Sequence, residues 1–446
     1  GSQDVQNYKG GYGNGRDGGR EMNTQILLPY GKQHIAVEIL QEELSAVIKT
    51  GLSSCVPEKP QYEIVKSALR HPYDSPGLET LARGADTVVI ITSDHTRPMH
   101  SSFTITILLK TVRRGFPVAR ITILIATGCH RSTTYEEMAE RFGPENVDRE
   151  KIAVHDCDRG RFTYVGTSPN GNRIELNSLA CEADLIIAEG FIEPHFFAGY
   201  SGGRKSILPG IASRRSIMYN HCAHNIADPH SVTGSLTQNP IHQDMMFAAR
   251  ALKSVFILNV ILNTEKEVIG AVAGDIGKAH EAGVRFLSRL CRVPAKTADI
   301  VITTNGGIPL DQNINQCVKG MTAASEACSD KGVIIMAARC NDGHGGSAFY
   351  ETFAGEPDTR RILDDILKRQ ETDTVPDQWQ SQILCRILLK NRVILVSDAP
   401  REMVEALHLI YSPSIEEAIQ MAKEYVGKEH PSILAIPDGV SVILRQ

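Results

Sequence analysis

Short runs of β-branched and aliphatic residues recur along the chain, each closed by a polar or glycine-rich landing. One form begins with Ala-Asp: Ala85-Asp86-Thr-Val-Val-Ile-Ile-Thr-Ser-Asp94, Ala183-Asp184-Leu-Ile-Ile-Ala-Glu-Gly190 and Ala298-Asp299-Ile-Val-Ile-Thr-Thr-Asn-Gly-Gly307. Related runs lie at Ile121–Ile125, Val255–Leu262, Val333–Met336 and Val393–Val396. Short, almost wholly apolar runs suit strands covered on both faces, so the pattern predicts a parallel α/β protein. Helical segments lie between them. Thr133-Thr-Tyr-Glu136 and Thr134-Tyr-Glu-Glu137 both read as capping boxes opening a helix through Arg141. Ser414-Ile-Glu-Glu417 reads as another, opening an amphipathic helix through Tyr425.

At 446 residues the chain exceeds one ordinary core. The expected organisation is two α/β domains with mainly parallel sheets around an interdomain cleft. Pro294 marks the boundary. The first domain is expected over 25–293, rejoined by about 428–446, and the second over 294–427. The return of Ser432-Ile-Leu-Ala-Ile-Pro and Val440-Ser-Val-Ile-Leu to the first domain rests on their strand-like character alone. Residues 1–24, with Gly10-Gly-Tyr-Gly-Asn-Gly15, are too polar to offset their ordering entropy and are expected to form a disordered arm. The arm has no apolar stretch of the kind a secretion signal needs.

A net charge of −5 gives no basic field for nucleic acid. No apolar run reaches the roughly 18–20 residues of a membrane span. Ten scattered cysteines without a Cys-x-x-Cys pair fit a reducing, cytoplasmic setting better than a disulfide framework.

The chemistry-bearing residues follow the apolar runs, at the sheet edge where open parallel sheets bind ligands. His195-Phe-Phe-Ala-Gly-Tyr-Ser-Gly-Gly-Arg-Lys205 gathers a proton carrier, a glycine pair, a guanidinium and an amine. The histidine can move protons near neutral pH. The lysine can hold an anion or bond covalently to a cofactor. Glycines let a backbone approach a ligand closely. The spacing is not that of a phosphate-binding P-loop. Arg97, in Ser93-Asp94-His95-Thr96-Arg97, can grip a carboxylate or phosphate with two hydrogen bonds, or sit solvated in a turn. His130, in Thr127-Gly-Cys-His130-Arg131, can act as acid or base ahead of the capped helix, or be structural. His221-Cys222-Ala-His224, with Asp228, His230 and His242, offers soft and borderline metal ligands. It lacks the second pair of a structural zinc site, so it better fits one ligand to a metal held mainly by something else. Gln316 and Lys319 share a helix face, either closing over a substrate or solvated. Asp342-Gly-His344-Gly-Gly is a similar landing, and Trp379 is either core or cleft wall.

Four motifs in order carry a resemblance: Asp-His-Thr-Arg-Pro from 94, Thr-Gly-x-His-Arg-x-x-Thr from 127, His-Phe-Phe-Ala-Gly-x-Ser-Gly-Gly-Arg-Lys from 195 and Asp-Gln-Asn-x-x-Gln-x-x-Lys-Gly from 311. Together they are highly specific, and the chain resembles the nickel-dependent lactate racemase family from about residue 25 onward. The resemblance implies two α/β domains around a cleft. It also implies a nickel-pincer nucleotide (pyridinium-3,5-bisthiocarboxylic acid mononucleotide nickel) attached covalently through Lys205, with His221 completing the metal coordination. His130 and His195 match the two catalytic histidines. Arg97 and Lys319 match residues holding the substrate carboxylate, with Gln316 beside them. Asp94 falls in the loop that helps hold the cofactor or orients Arg97, which is itself expected to reach the cofactor. Trp379 matches an aromatic residue near the cleft.

The implied reaction inverts C2 of a 2-hydroxy acid, and the implied cellular partners include cofactor-maturation proteins. A C2 proton beside an ionised carboxylate is poorly acidic, so a hydride leaves and returns while two histidines handle the hydroxyl proton. A carboxylate clamp keeps the acid in place meanwhile. Asn315 stands where lactate-type members carry tyrosine. Its amide offers a donor and an acceptor, which favours a larger or hydroxyl-rich acid such as gluconate over lactate or malate. Two other classes stay open: a zinc hydrolase built on His221, Cys222 and His224, and a non-catalytic carrier of the nickel cofactor.

Overall fold

The computed structural model describes residues 23–99 and 101–445. The glycine-rich arm lies outside them up to residue 22. Asn23–Tyr30 is already a strand, paired antiparallel with Gln33–Leu40, so the arm expected over 1–24 gives way to structure sooner.

Every predicted apolar run is a strand. Thr87–Ser93, Arg120–Ala126, Leu185–Phe191 and Val255–Leu262 form the centre of a six-stranded first sheet. Lys151–Val154 adds a parallel edge and Val268–Asp275 an antiparallel one. The unbroken apolarity of the central strands has a packing cause. Val88 and Ile90 enter one core with Leu108 and Phe142, whereas Val89 and Ile91 enter another with Ile207 and Met245. Each fully buried aliphatic side chain contributes about 1.5–3 kcal/mol, so both faces stabilise the sheet.

The second sheet is all parallel, in the order Ile410–Ser412, Arg392–Val396, Cys328–Ala337, Ala298–Thr304, Ile433–Ile436 and Leu44–Val47. For the first of the two C-terminal segments this corrects the expected return to the first domain. Ile433–Ile436 pairs with Ala298–Thr304 in the second sheet, and a strand from the N-terminal region lies outside it. The cause is a clamp at the strand heads. One Asp299 carboxylate oxygen accepts from the Ser432 N–H and hydroxyl, both at 3.0 Å, and the Lys428 ammonium donates to the other at 2.6 Å. Asp184 does the same in the first sheet, accepting from the Thr87 N–H at 3.0 Å and hydroxyl at 2.8 Å. Pro294 ends a short strand, Arg292–Pro294, that pairs with Ile443–Arg445 and so stitches the chain end to the crossing between sheets.

Of the two overlapping capping boxes the second forms: Thr134 caps Tyr135–Phe142, with Glu137 reciprocating. Ser414 caps Ile415–Val426. Among the described residues no helix is long and apolar enough to cross a membrane.

The first sheet also places a crevice. The chain steps outward from Thr87–Ser93 through Arg120–Ala126 to Lys151–Val154, then returns to Leu185–Phe191 on the other side of the start. The loops leaving the two central strands therefore part at their carboxyl ends, where a ligand can enter.

Candidate active site

That crevice collects every side chain the sequence singles out for the resemblance. Loops of the first sheet bring Asp94, Arg97, His130, His195 and Lys205 to one cavity, and His221 joins them from the end of helix Arg214–Asn220. The second sheet answers with Asn315, Gln316 and Lys319 from helix Ile314–Ala327, and Trp379 from helix Gln378–Lys390. Asn313 caps the former helix by accepting from the Gln316 N–H, which fixes the turn carrying all three. The two halves touch at the back of the cavity, where the Trp379 and His221 rings meet edge-on at 4.8 Å. Beside them, Gln382 donates to the Ala223 carbonyl at 2.9 Å.

The two histidines are held in different ways. His130 Nδ1 lies 2.7 Å from Asp94 Oδ2. An ionised carboxylate only accepts, so the neutral ring carries its proton on Nδ1 and leaves Nε2 bare. Burial alone would raise the Asp94 carboxyl. The facing His130, the hydrogen bond between them, Arg97 and the Thr96 hydroxyl outweigh it and hold Asp94 well below the usual carboxylate range. The sequence places Asp94 with the cofactor or Arg97; in the structure its second oxygen is taken by the Thr96 hydroxyl at 2.6 Å and N–H at 3.1 Å. Its two oxygens thus face Thr96 and His130. His195 has the opposite arrangement. Its Nδ1 accepts from the Ala198 N–H at 3.3 Å, so the neutral ring carries its proton on Nε2, 3.2 Å from Lys205 Nζ. Burial, followed by Lys205, Lys319 and Arg97, holds His195 well below the ordinary histidine range and favours that neutral ring.

The cavity is rich in unneutralised cations. Among the described residues Arg97, Lys205 and Lys319 form no ion pair within 4 Å. Burial and then Arg97 push Lys319 down to about 8. Burial, Arg97, Arg204 and Lys319 hold Lys205 well below the usual lysine range, which favours a neutral, nucleophilic amine. Such a cluster gains electrostatically from an incoming anion.

The Gly-Gly-Arg part of the lysine loop packs closely on the protein itself, with Gly202 also lining the cavity. A Cβ on Gly202, at φ 76°, would meet Asn259 Oδ1 at 2.7 Å and the Phe191 carbonyl at 2.8 Å. One on Gly203, at φ 51°, would meet His280 at 2.9 Å. The glycines let the loop pack on the protein itself. Arg204 is fully buried, and burial pushes its guanidinium down to about 9. It donates to the carbonyls of Ala198 and Tyr200, each at 2.8 Å, and to His242 Nδ1 at 2.9 Å. Arg204→Met is expected to lower unfolding free energy by about 2–6 kcal/mol, because it leaves the two buried carbonyls unpaired at about 1–3 kcal/mol each. Urea denaturation checks this, and a loss below about 1 kcal/mol, the worth of an ordinary hydrogen bond, would contradict the role.

Several expected residues lie elsewhere. His242 serves Arg204, His230 pairs with Asp228 at 3.0 Å and His224 is exposed. Cys222 precedes a short helix without a side-chain capping bond, its thiol pushed up to about 11 by burial. Among the described residues no three His, Cys, Asp or Glu side chains gather to hold a metal, so the zinc trio of His221, Cys222 and His224 does not form. Arg131 pairs with Glu137. His344 stacks on Tyr350 at 4.9 Å, away from the cavity lining.

Other residues carry no sequence signal. Arg141, buried in its helix, donates to the Arg97 carbonyl at 2.7 Å and the Ser93 hydroxyl at 3.2 Å, and so fixes the Asp94–Arg97 loop. Glu189 lies fully buried beneath that loop, accepting from the Thr92 and Thr104 hydroxyls at 2.6 Å each. Asp377 and Gln380 line the cavity beside Trp379.

The family profile "Lactate racemase N-terminal domain" matches residues 30–234, and "Lactate racemase C-terminal domain" matches residues 293–444. The chain is 47% identical over 425 residues to the lactate racemase of Thermoanaerobacterium thermosaccharolyticum, covering 95% of this chain and 100% of that protein. It is 44% identical over 422 residues to the lactate racemase of Lactiplantibacillus plantarum, covering 94% of this chain and 99% of that one. The chain belongs to the lactate racemase family. Membership makes it a racemase, an isomerase. The solved apoprotein of the Thermoanaerobacterium lactate racemase superposes with a TM-score of 0.91 at 46% identity, covering 95% of this chain and all of that one. A Thermotoga maritima protein at 20% identity shares the fold, with a TM-score of 0.65 over 88% of this chain. Within the lactate racemase family profiles, the N-terminal match spans the loops from Asp94 to His221, and the C-terminal match spans the helices carrying Asn315 to Trp379.

Proposed function

We propose that this racemase inverts C2 of a 2-hydroxy carboxylic acid by reversible hydride transfer, with His130 and His195 as the paired acid and base. The observation that carries the reading is the pair of imidazoles in one cavity, oppositely tautomerised by Asp94 and the Ala198 N–H. The bare Nε2 of His130 can take the substrate hydroxyl proton. His195 stands ready to exchange one when the acid reacts on its other face. Arg97 and Lys319 hold the carboxylate, with Gln316 beside them, and Trp379 walls the cavity.

The residues fit a nickel-pincer nucleotide. Among the described residues, His221 Nδ1 is buried without a hydrogen-bond partner, the Lys205 amine pairs with no carboxylate, and no three His, Cys, Asp or Glu side chains form a metal cage. That donor set suits a metal brought in mostly by its own ligands, with Lys205 as tether and His221 as one further ligand. When bound, the group supplies reversible acceptance of a hydride. Maturation proteins in the cell would deliver it. A non-catalytic carrier would have no use for the two histidines.

Both named relatives are lactate racemases, which makes lactate the reference substrate. The preference for gluconate expected from Asn315 has no support from them. The test is C2-deuterated lactate, malate and gluconate given to cofactor-loaded enzyme, with product configuration and deuterium content read by chiral chromatography and mass spectrometry. Inversion with deuterium kept at C2 is the expected result. Inversion with deuterium lost to solvent would replace hydride transfer by proton abstraction, and no inversion of any acid would overturn the reading.

A further inference from the structure

Asn315 and Gln380 meet across the cavity wall of the second domain, from the first turns of two helices. Gln380 Nε2 donates to the Asn315 backbone carbonyl at 2.8 Å and to Asn315 Oδ1 at 3.0 Å. The backbone carbonyl can only accept, so the nitrogen of the Gln380 amide must face it. That in turn fixes which way the Asn315 amide points. Two atoms are then left over, Asn315 Nδ2 and Gln380 Oε1, both buried and both without a partner. The side chains are 5% and 4% exposed, so bulk water does not satisfy them. A buried unpaired donor beside a buried unpaired acceptor is costly unless something in the cavity pairs with both.

The position says what that something is. Asn315 and Lys319 are one helical turn apart on one face, and with Gln380 they line the same cavity, so the amide pair shares a wall with the ammonium read here as gripping the carboxylate. A substituent on the carbon next to C2 of a bound acid is the part of the substrate that such a wall faces. Asp377 adds a cavity-lining carboxyl at the same corner. A Cβ on Gly346 would lie 2.5 Å from Asp377 Oδ2 and 3.5 Å from Asn315 Nδ2.

We propose that Asn315 and Gln380 together read a hydroxyl group on C3 of the substrate, Nδ2 donating to its oxygen and Oε1 accepting its hydrogen. A 2,3-dihydroxy acid then binds better than its 3-deoxy counterpart, whose methyl group leaves both amide atoms unpaired or dependent on a trapped water. A second carboxylate at that corner meets Asp377 and is disfavoured. This rests on the 2-hydroxy acid reading and names the class of acid preferred within it.

Glycerate and lactate differ only in this hydroxyl. Cofactor-loaded wild-type enzyme is expected to show kcat/KM about ten-fold higher for glycerate, mostly through KM, a gain fitting one well-formed hydrogen-bond pair. Gln380→Met is expected to bring the glycerate-to-lactate ratio close to one, with Asn315→Ala as the second variant should Gln380→Met fold poorly. Calorimetric titration of the cofactor-loaded enzyme with each acid as its racemate, which undergoes no net inversion, gives a readout independent of turnover, and the same preference is expected there. A wild-type ratio at or below one in both measurements overturns the proposal, as does an unchanged ratio in both folded variants. Preserved glycerate preference in binding with no inversion of any acid would instead overturn the racemase reading and leave the hydroxyl site standing.

Discussion

Replacing Lys205 with alanine is expected to abolish racemisation, a loss on the order of 10⁶-fold or more, because under the proposed function the tether of the hydride-accepting group goes with it. Lys205 Nζ lies 3.2 Å from His195 Nε2 and 5.6 Å from the centre of the Phe197 ring, among cations and with no carboxylate partner among the described residues. A lysine placed for stability would be paired. This one is kept short of protons by burial and by its neighbours, the condition under which an amine is a nucleophile. Lys205→Arg is expected to fail equally, since a guanidinium stays protonated and does not form such a link. Intact-mass measurement separates tether from structure. Wild-type protein from cells that make the cofactor is expected to carry an adduct that maps to Lys205, while both variants run at bare chain mass with unchanged circular dichroism. An adduct on any other residue, or activity surviving in Lys205→Ala, would sink the assignment.

The strands, the helix caps and the site loops were legible because each is a local event. An apolar run between polar landings is a buried strand wherever it packs, and Thr134 and Ser414 cap their helices through contacts three residues away. Which sheet a strand joins is not local. Ile433–Ile436 reads like any other buried strand, and its partner is chosen by Asp299 reaching Ser432, which lies 133 residues further along the chain. The Ala-Asp starts were visible as a pattern, but their meaning as strand-head clamps needed the neighbouring strand. The same division holds at the site. His130, His195, Lys205 and Arg97 sit in motif-bearing loops. Arg141, Gln380 and Asp377 act across elements: Arg141 through a carbonyl 44 residues away, Gln380 through one 65 residues away. Asp377 holds a left-handed φ of 61° ahead of its helix without a glycine or asparagine to announce it. The glycine pair at 202 and 203 suggests room for a ligand; Gly202 does line the cavity, and packing against Asn259 and His280, invisible in the sequence, also demands glycine at both positions.

Asp94→Asn is expected to lower kcat by about 10²–10⁴-fold while leaving the Lys205 adduct in place, the range lost when an acid–base group is wrongly presented. Asp94 is 1% exposed and its carboxylate faces the Nδ1 of His130 at 2.7 Å, which is what keeps Nε2 bare toward the cavity. An asparagine of the same shape can present its NH₂ to that nitrogen, drawing the ring into the other tautomer and putting a proton where a base is needed. The sign of the pH dependence follows from the Asp94 shift. A carboxyl whose folded pKa is depressed contributes stability above its unfolded pKa and loses it only as pH falls through the lower folded value. Asp94 therefore stays ionised through the neutral and mildly acidic range. Protonation of Asp94 itself thus contributes nothing to a change of wild-type rate between about pH 5 and 8. Stopped assays of lactate inversion across that range, on wild type and Asp94→Asn at equal cofactor loading, decide the point. A variant within about three-fold of wild type, well short of what general acid–base catalysis supplies, would show that His130 needs no orienting carboxylate. A variant equally slow but with the adduct missing would move Asp94 from the proton chemistry to the cofactor.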